Sequence, residues 1–393
     1  MSRELFNRSA DLTRLRDEGY VVEVRGALLV MSEVPYVDGE RRVRRGTIVS
    51  TLSLAGDVTQ KPDCHQVWFD GDFPCNADGG RLKGIAESGG PQALGEGLTA
   101  TYRFSSKPSD GYADYFEKMT TYATLMSGQA TRLEPGATPR LYRSPSVDEP
   151  GGAFNYLDTA SARVGIGALS EKLAGETVSI VGLGGSGSYV LDLVAKTPVR
   201  EVRLFDADVF LQHNAFRAPG APALEELRAR RAKVDYFAER YSHMHRHIVA
   251  HRTFLRADNV HLLDGTTFAF LCMDAGKDKR AVVQRLEEMG ASFVDVGMGL
   301  DLDETGALGG LLRVTASTPD KRDHVHRGRI SFAGGGADDL YASNIQVAEL
   351  NSLTAALAVV KWKKVRGFYR DAEREHHFTY PTESNVLING DSL

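Results

Sequence analysis

Apolar and polar positions along this chain follow two rhythms, and the change between them divides it. After a helical stretch over 4–18, the segments 21–34, 47–54, 65–69 and 98–104 are rich in β-branched and aromatic residues. Gly, Pro and Asp turns separate them, which predicts strands. Tyr112, Tyr115, Phe116, Met119, Tyr122 and Met126 then recur at helical spacing and mark one apolar helix face. Residues 1–128 therefore read as a compact α+β domain. Residues 129–153 carry Pro135, Pro139, Pro145 and Pro150 among glycines and read as an extended surface linker.

From 154 to 393 the rhythm becomes strand–helix alternation. Strands are expected over 178–183, 201–205, 268–273 and 294–296, and helices over 187–196 and 223–241. A glycine-rich segment spans 306–311. Val347, Leu350, Leu353, Leu357 and Val360 outline a last amphipathic helix. Lys361, Lys363, Lys364 and Arg366 occupy its final turn and Gly367 sits just beyond, as helix C-termini prefer. The fold class is α/β: a Rossmann-like, mostly parallel sheet with helices on both faces, preceded by the smaller α+β domain.

Composition narrows the function. The 393 residues carry 47 Lys+Arg against 52 Asp+Glu, a formal net charge of -5, so general nucleic-acid binding is not expected. Three cysteines cannot build a disulfide framework or a four-cysteine zinc site, which points to a reducing compartment. The first twenty residues lack a signal peptide's apolar core, and no run approaches a membrane span. The expectation is a cytoplasmic protein without a membrane partner.

The informative glycines lie at Gly182, Gly184, Gly185 and Gly187, followed by Ser188, between an expected strand and an expected helix. There they let backbone approach a phosphate closely while the helix N-terminus supplies N–H donors. Asp206 closes the next strand, where a Rossmann protein holds a ribose hydroxyl, so an NAD-dependent oxidoreductase is one reading. Asp208, Asn214, Arg217, Lys233 and Asp274 extend the set toward a nucleoside triphosphate. Such chemistry needs a carboxylate to place Mg²⁺ and cations to meet developing phosphate charge.

These residues resemble the ThiF/MoeB/HesA superfamily, which includes the activating enzymes of ubiquitin-like proteins. The resemblance rests on the GxGGxGS loop at 182–188, DxDxV at 206–209, Asn214 and Arg217, Lys233 and Asp274. It implies binding of ATP and Mg²⁺ and adenylation of the C-terminal glycine carboxylate of a ubiquitin-like protein by a homodimer. By that resemblance the glycine loop cradles phosphates and Asp206 holds the ribose. Asn214, Arg217 and Lys233 contact phosphates, Asp274 holds Mg²⁺, and Arg163 is the candidate arginine laid over the triphosphate. A catalytically silent nucleotide-binding scaffold is the non-enzyme rival.

The chain departs from the family at its cysteines. Cys64, Cys75 and Cys272 cannot supply two CxxC pairs, so no zinc is expected, and no cysteine follows Asp274. Three outcomes are open. The enzyme stops at the adenylate and passes it to a conjugating-enzyme-like partner, or a hydroxyl among Ser317, Thr318, Ser331 and Ser343 accepts the acyl group, or Cys75 does. Cys272, inside an apolar strand, reads as an inert thiol. His243, His245, His247 and His251 read as solvated or hydrogen-bonded side chains, and the N-terminal domain as a partner-recognition module.

Overall fold

Two compact units, Met1–Glu171 and Lys172–Leu393, make up the computed structural model. It describes residues 2–142, 152–156, 158–163, 166–332 and 345–392. No described helix is long and apolar enough to cross a membrane.

The first unit opens on α1 (Ser2–Arg8) and α2 (Ala10–Asp17), where one helix is expected; Ser9 between them is extended at φ -108°. The strands are β1 (Val21–Arg25), β2 (Leu28–Val37), β3 (Val43–Thr51), β4 (Gln66–Asp70), β5 (Ala86–Gly89) and β6 (Tyr102–Ser105). They form an antiparallel sheet in the order β1-β2-β3-β4-β6-β5. The expected strand over 21–34 is in fact a hairpin turning at Gly26, where φ is +54°. Asp114 caps α3 (Tyr115–Leu133), its carboxylate accepting the Glu117 N–H at 2.8 Å. Tyr115, Met119, Tyr122 and Met126 bury the face that the spacing predicts. The helix runs past the boundary expected at 128 because Ala130 still packs against Val37, Cys75 and Ala137.

The second unit is built on eight strands: β7 (Thr177–Val181), β8 (Glu201–Phe205), β9 (Ile248–His251), β10 (Phe268–Leu271), β11 (Ser292–Leu302), β12 (Leu308–Ser317), β13 (His377–Pro381) and β14 (Ile388–Gly390). Their order is β9-β8-β7-β10-β11-β12-β13-β14, parallel from β9 to β11 and antiparallel beyond. The helices that matter are α4 (Gly185–Val194), α5 (Lys233–Ser242), α6 (Lys277–Glu288) and α7 (Ala348–Val365).

Strands β7 and β10 are buried throughout, as central parallel strands covered on both faces must be. Period-two alternation sorts their side chains. Val178, Ile180, Phe268 and Phe270 meet α4, α5 and α7 on one face, with Trp362 of α7 near both phenylalanines. Val181, Ala269, Leu271 and Phe293 meet Val282, Val283 and Leu286 of α6 on the other.

The helix expected over 223–241 is two pieces, Leu224–Arg228 and α5. Between them the chain returns to 208–210: Phe210 N–H donates to the Arg231 carbonyl and Lys233 N–H to that of Asp208, both at 2.8 Å. Those bonds hold 229–232 out of helical geometry. From β7 the chain proceeds to β8 and β9 on one side, then crosses to β10 on the other. The sheet therefore reverses its winding between β7 and β10. Open α/β sheets form a crevice at the carboxyl ends of two such strands.

Candidate active site

A cleft of about 230 Å³ opens at that switch point. One wall is Gly184, Gly185 and Ser186, which follow β7; the facing wall is Cys272, Met273, Asp274 and Ala275, which follow β10. Two glycines of the loop are required by close approach. Gly182 has φ +90°, and a Cβ there would lie 2.4 Å from the Cys272 carbonyl oxygen. A Cβ on Gly187 would lie 1.9 Å from the Gly182 carbonyl oxygen. Gly184 differs: nothing stands within 4 Å of its Cβ position, so bare backbone borders open space.

The floor carries buried charge. Asp295 of β11 is wholly buried between Lys279 Nζ at 2.7 Å and Arg313 Nη2 at 2.5 Å. Arg313 also donates to Thr315 Oγ1 at 2.8 Å and to the Arg329 carbonyl at 2.9 Å. Its guanidinium lies across its cross-strand partner Gly297, where a Cβ would stand 2.8 Å from Nη2. Two cations on one carboxylate leave net positive charge beneath the cleft, an arrangement suited to an anionic ligand. Burial, reinforced by the Asp295 charge, pushes the Cys272 thiol up to about 12, so it stays protonated at neutral pH.

A second cluster stands at the end of β8. Asp206 is buried, and both its oxygens are engaged: Oδ2 accepts the Leu183 N–H at 2.7 Å and Oδ1 the Asp208 N–H at 2.8 Å. This carboxylate staples the glycine loop to the neighbouring strand. Lys233 Nζ lies 2.7 Å from Asp208 Oδ2 and 3.7 Å from Asp206 Oδ2. Asn214 Oδ1 accepts the Leu211 N–H at 2.9 Å, while its Nδ2, like Nε of Arg217, is buried without an acceptor among the described residues. Buried donors left unpaired are costly, and ligand oxygens would satisfy them.

Residues 159–314 match the ThiF family. The chain carries a ThiF-family domain. Residues 10–159 match the family described as Domain of unknown function (DUF6791). Similar solved structures include PaaA, 15% identical over 57% of this chain and 76% of that one, with a TM-score of 0.45. E. coli MccB in complex with ATP is 14% identical over 59% and 69%, with a TM-score of 0.45. E. coli tRNA N6-threonylcarbamoyladenosine dehydratase, TcdA, in complex with ATP is 18% identical over 53% and 92%, with a TM-score of 0.39. No curated protein matches the chain.

Within the ThiF domain, Gly184, Gly185 and Asp274 share the cleft, whereas Gly182, Gly187 and Ser188 are not on its wall. Ser188 is buried and donates to the Gly185 carbonyl at 2.8 Å. Asp206, Asp208, Asn214, Arg217 and Lys233 form the separate β8 cluster, also off that wall. Of the candidate hydroxyls, Ser331 lines the cleft. Ser317 and Thr318 are buried, Thr318 Oγ1 meeting His376 Nε2 at 3.2 Å, and Ser343 lies outside the described residues.

Arg163 ends a short helix, Thr159–Arg163, of the first unit, and its side chain lies outside the described residues. Cys75, also in that unit, is buried, and burial followed by the Asp38 charge raises its thiol pKa, the reverse of what an acyl-carrying thiolate needs. His245 is buried, with Nε2 3.0 Å from the Val199 carbonyl oxygen. Among the described residues no three His, Cys, Asp or Glu side chains are placed to hold a metal. Sequence reading missed Lys279, Asp295, Arg313 and Asn351. Only Asp295 left a signal: a lone acid within the apolar run 293–296.

Proposed function

We propose that the chain is an ATP-dependent adenylyltransferase that activates the C-terminal glycine carboxylate of a ubiquitin-like protein, releasing pyrophosphate. The observation that carries this reading is the cleft at the switch point, where the open backbone at Gly184 faces the exposed Asp274 carboxylate over a cationic floor. The ThiF family match supports it.

The residues present suit the cofactors. Mg²⁺ is commonly held by one or two carboxylates together with substrate phosphates, and Asp274 would be that carboxylate. When bound, the ion would offset charge on the phosphates. Asn214 and Arg217 bring donors without a partner among the described residues, and Asp208 with Lys233 offers a half-exposed carboxylate for a ribose hydroxyl beside Asp206, whose oxygens each accept one backbone N–H.

In this reading the adenylate passes to the thiol of a conjugating-enzyme-like partner, because Cys272 and Cys75 both have raised thiol pKa values. The enzyme works in the cytoplasm as a homodimer that can complete the site with Arg163. The N-terminal unit recognises the partner protein.

Exchange of labelled pyrophosphate into ATP, with the ubiquitin-like substrate present, tests the reading. Asp274→Ala is expected to lower exchange at least a hundredfold, in line with removal of a charge-stabilising group. Exchange that survives this substitution would sink the metal role. Absence of exchange in the wild type, with NAD(H) binding instead, would sink the adenylation reading.

A further inference from the structure

Asn351, in the first turns of α7, is 1% exposed and lines the cleft. Its Oδ1 accepts the Ser186 hydroxyl at 2.9 Å. Its amide sits where a side chain on Gly185 would begin: a Cβ there would lie 2.2 Å from Asn351 Nδ2. Gly185 is thus bare on the side that receives this amide, and the opening residues of α4 and α7 meet at the glycine loop. Nδ2 is buried and has no acceptor among the described residues.

A buried NH₂ group without acceptors costs stability unless something supplies oxygen atoms. The Asn351 N–H groups, the free N–H groups that begin α4 and the cationic floor of Lys279 and Arg313 share one cleft. All of them favour an anion with several oxygens.

We propose that Asn351 is a phosphate-binding residue, and that α7 thereby contributes a direct hydrogen bond from Nδ2 to the phosphates of the bound nucleotide. This rests on the nucleotide reading of the cleft. Ser186 is the positioning residue: its hydroxyl fixes Oδ1 and so turns Nδ2 toward the loop. α7 is thereby tied to nucleotide occupancy, because its first turns are fully hydrogen-bonded only when phosphate oxygens are present.

Calorimetric titration of the full-length protein with ATP, pyrophosphate and adenosine tests this. Asn351→Asp keeps the size and the acceptor for Ser186 but replaces the NH₂ donor with an oxygen. Asn351→Ala removes the whole amide. Thermal melts establish that each variant is folded. Both variants are expected to bind ATP and pyrophosphate about tenfold or more weakly, as for a hydrogen bond to a charged group, with adenosine affinity unchanged. A folded variant that binds ATP as the wild type does overturns the proposal, as does equal loss for adenosine and ATP, which would mark a structural role. A wild type that binds neither ATP nor pyrophosphate rejects the nucleotide reading itself, and the proposal falls with it.

Discussion

The two units bury lysines in opposite ways. Lys118, wholly buried in the first unit, donates to two neutral acceptors, Ser50 Oγ and the Cys64 carbonyl, each at 2.7 Å. In the second, Lys233, Lys279 and Lys361 each have a carboxylate oxygen at 2.7, 2.7 and 3.1 Å respectively. Burial lowers the Lys118 pKa to about 8, so in the first unit desolvation wins over its partners. In the second unit each buried ammonium lies against a carboxylate, and one of them, Lys279, lines the cleft. One unit shelters an amine among neutral partners, while the other pairs each of these amines with a carboxylate.

The chain's two tryptophans, Trp68 and Trp362, fall one in each unit, so single Trp→Phe variants read each unit's unfolding separately. The largest effect is expected from Asp295→Ala. It removes the buried carboxylate that Lys279 and Arg313 share and should cost the second unit about 3–5 kcal/mol in urea unfolding followed through Trp362. Lys118→Met, followed through Trp68 at pH 7, should cost the first unit only about 1 kcal/mol, since it removes a poorly compensated ammonium. Equal losses would erase the contrast.

Raising the pH should sharpen it next. Unfolded Lys118 holds its proton to near 10.5, whereas the folded chain releases it at about 8. The unfolded state thus binds more protons between those values, and stability rises with pH. Between pH 8 and 9.5 the Lys118 contribution should reach about 1.4 kcal/mol per pH unit and vanish in Lys118→Met. Above that window Tyr115, raised to about 12 by burial, opposes it: its unfolded phenol ionises near 10 while the folded one does not.

The second unit should respond on the acid side. Burial lowers His245 and His377 to about 4, so below pH 6.5 the unfolded chain takes up protons that the folded chain refuses. Stability read at Trp362 should fall as pH drops from 6.5 toward 4, and His245→Gln should flatten part of that slope. The smallest change is expected from Gly184→Ala, within about 0.5 kcal/mol of wild type, because the new methyl meets open space. A loss of several kcal/mol would mean that the loop tolerates no Cβ there either.

Much of the fold was legible because its signals are local. The strand Glu201–Phe205 falls where its apolar pattern ends, and the strand–glycine–helix run at 177–194 announces the loop. The break before Lys233 was not legible: charged residues at helical spacing carry no sign that 229–232 must bond back to 208–210. The cleft position of Asp274 could be read from its place after a strand. Asn351 could not, since α7 reads as an ordinary amphipathic helix and the amide's partner, Ser186, is 165 positions away. The floor shows the same limit, because Asp295 takes meaning only from Lys279 and Arg313, which lie on other elements.

The three thiols differ in a way that makes the protein convenient to tag. Cys272 is held protonated up to about 12 and Cys75 is buried with a raised pKa, while Cys64 is only half-buried. A maleimide dye offered at neutral pH should therefore enter at Cys64 first and leave the cleft untouched. The unmodified chain, with no cysteine replaced, thus carries its own single attachment point for fluorescence work.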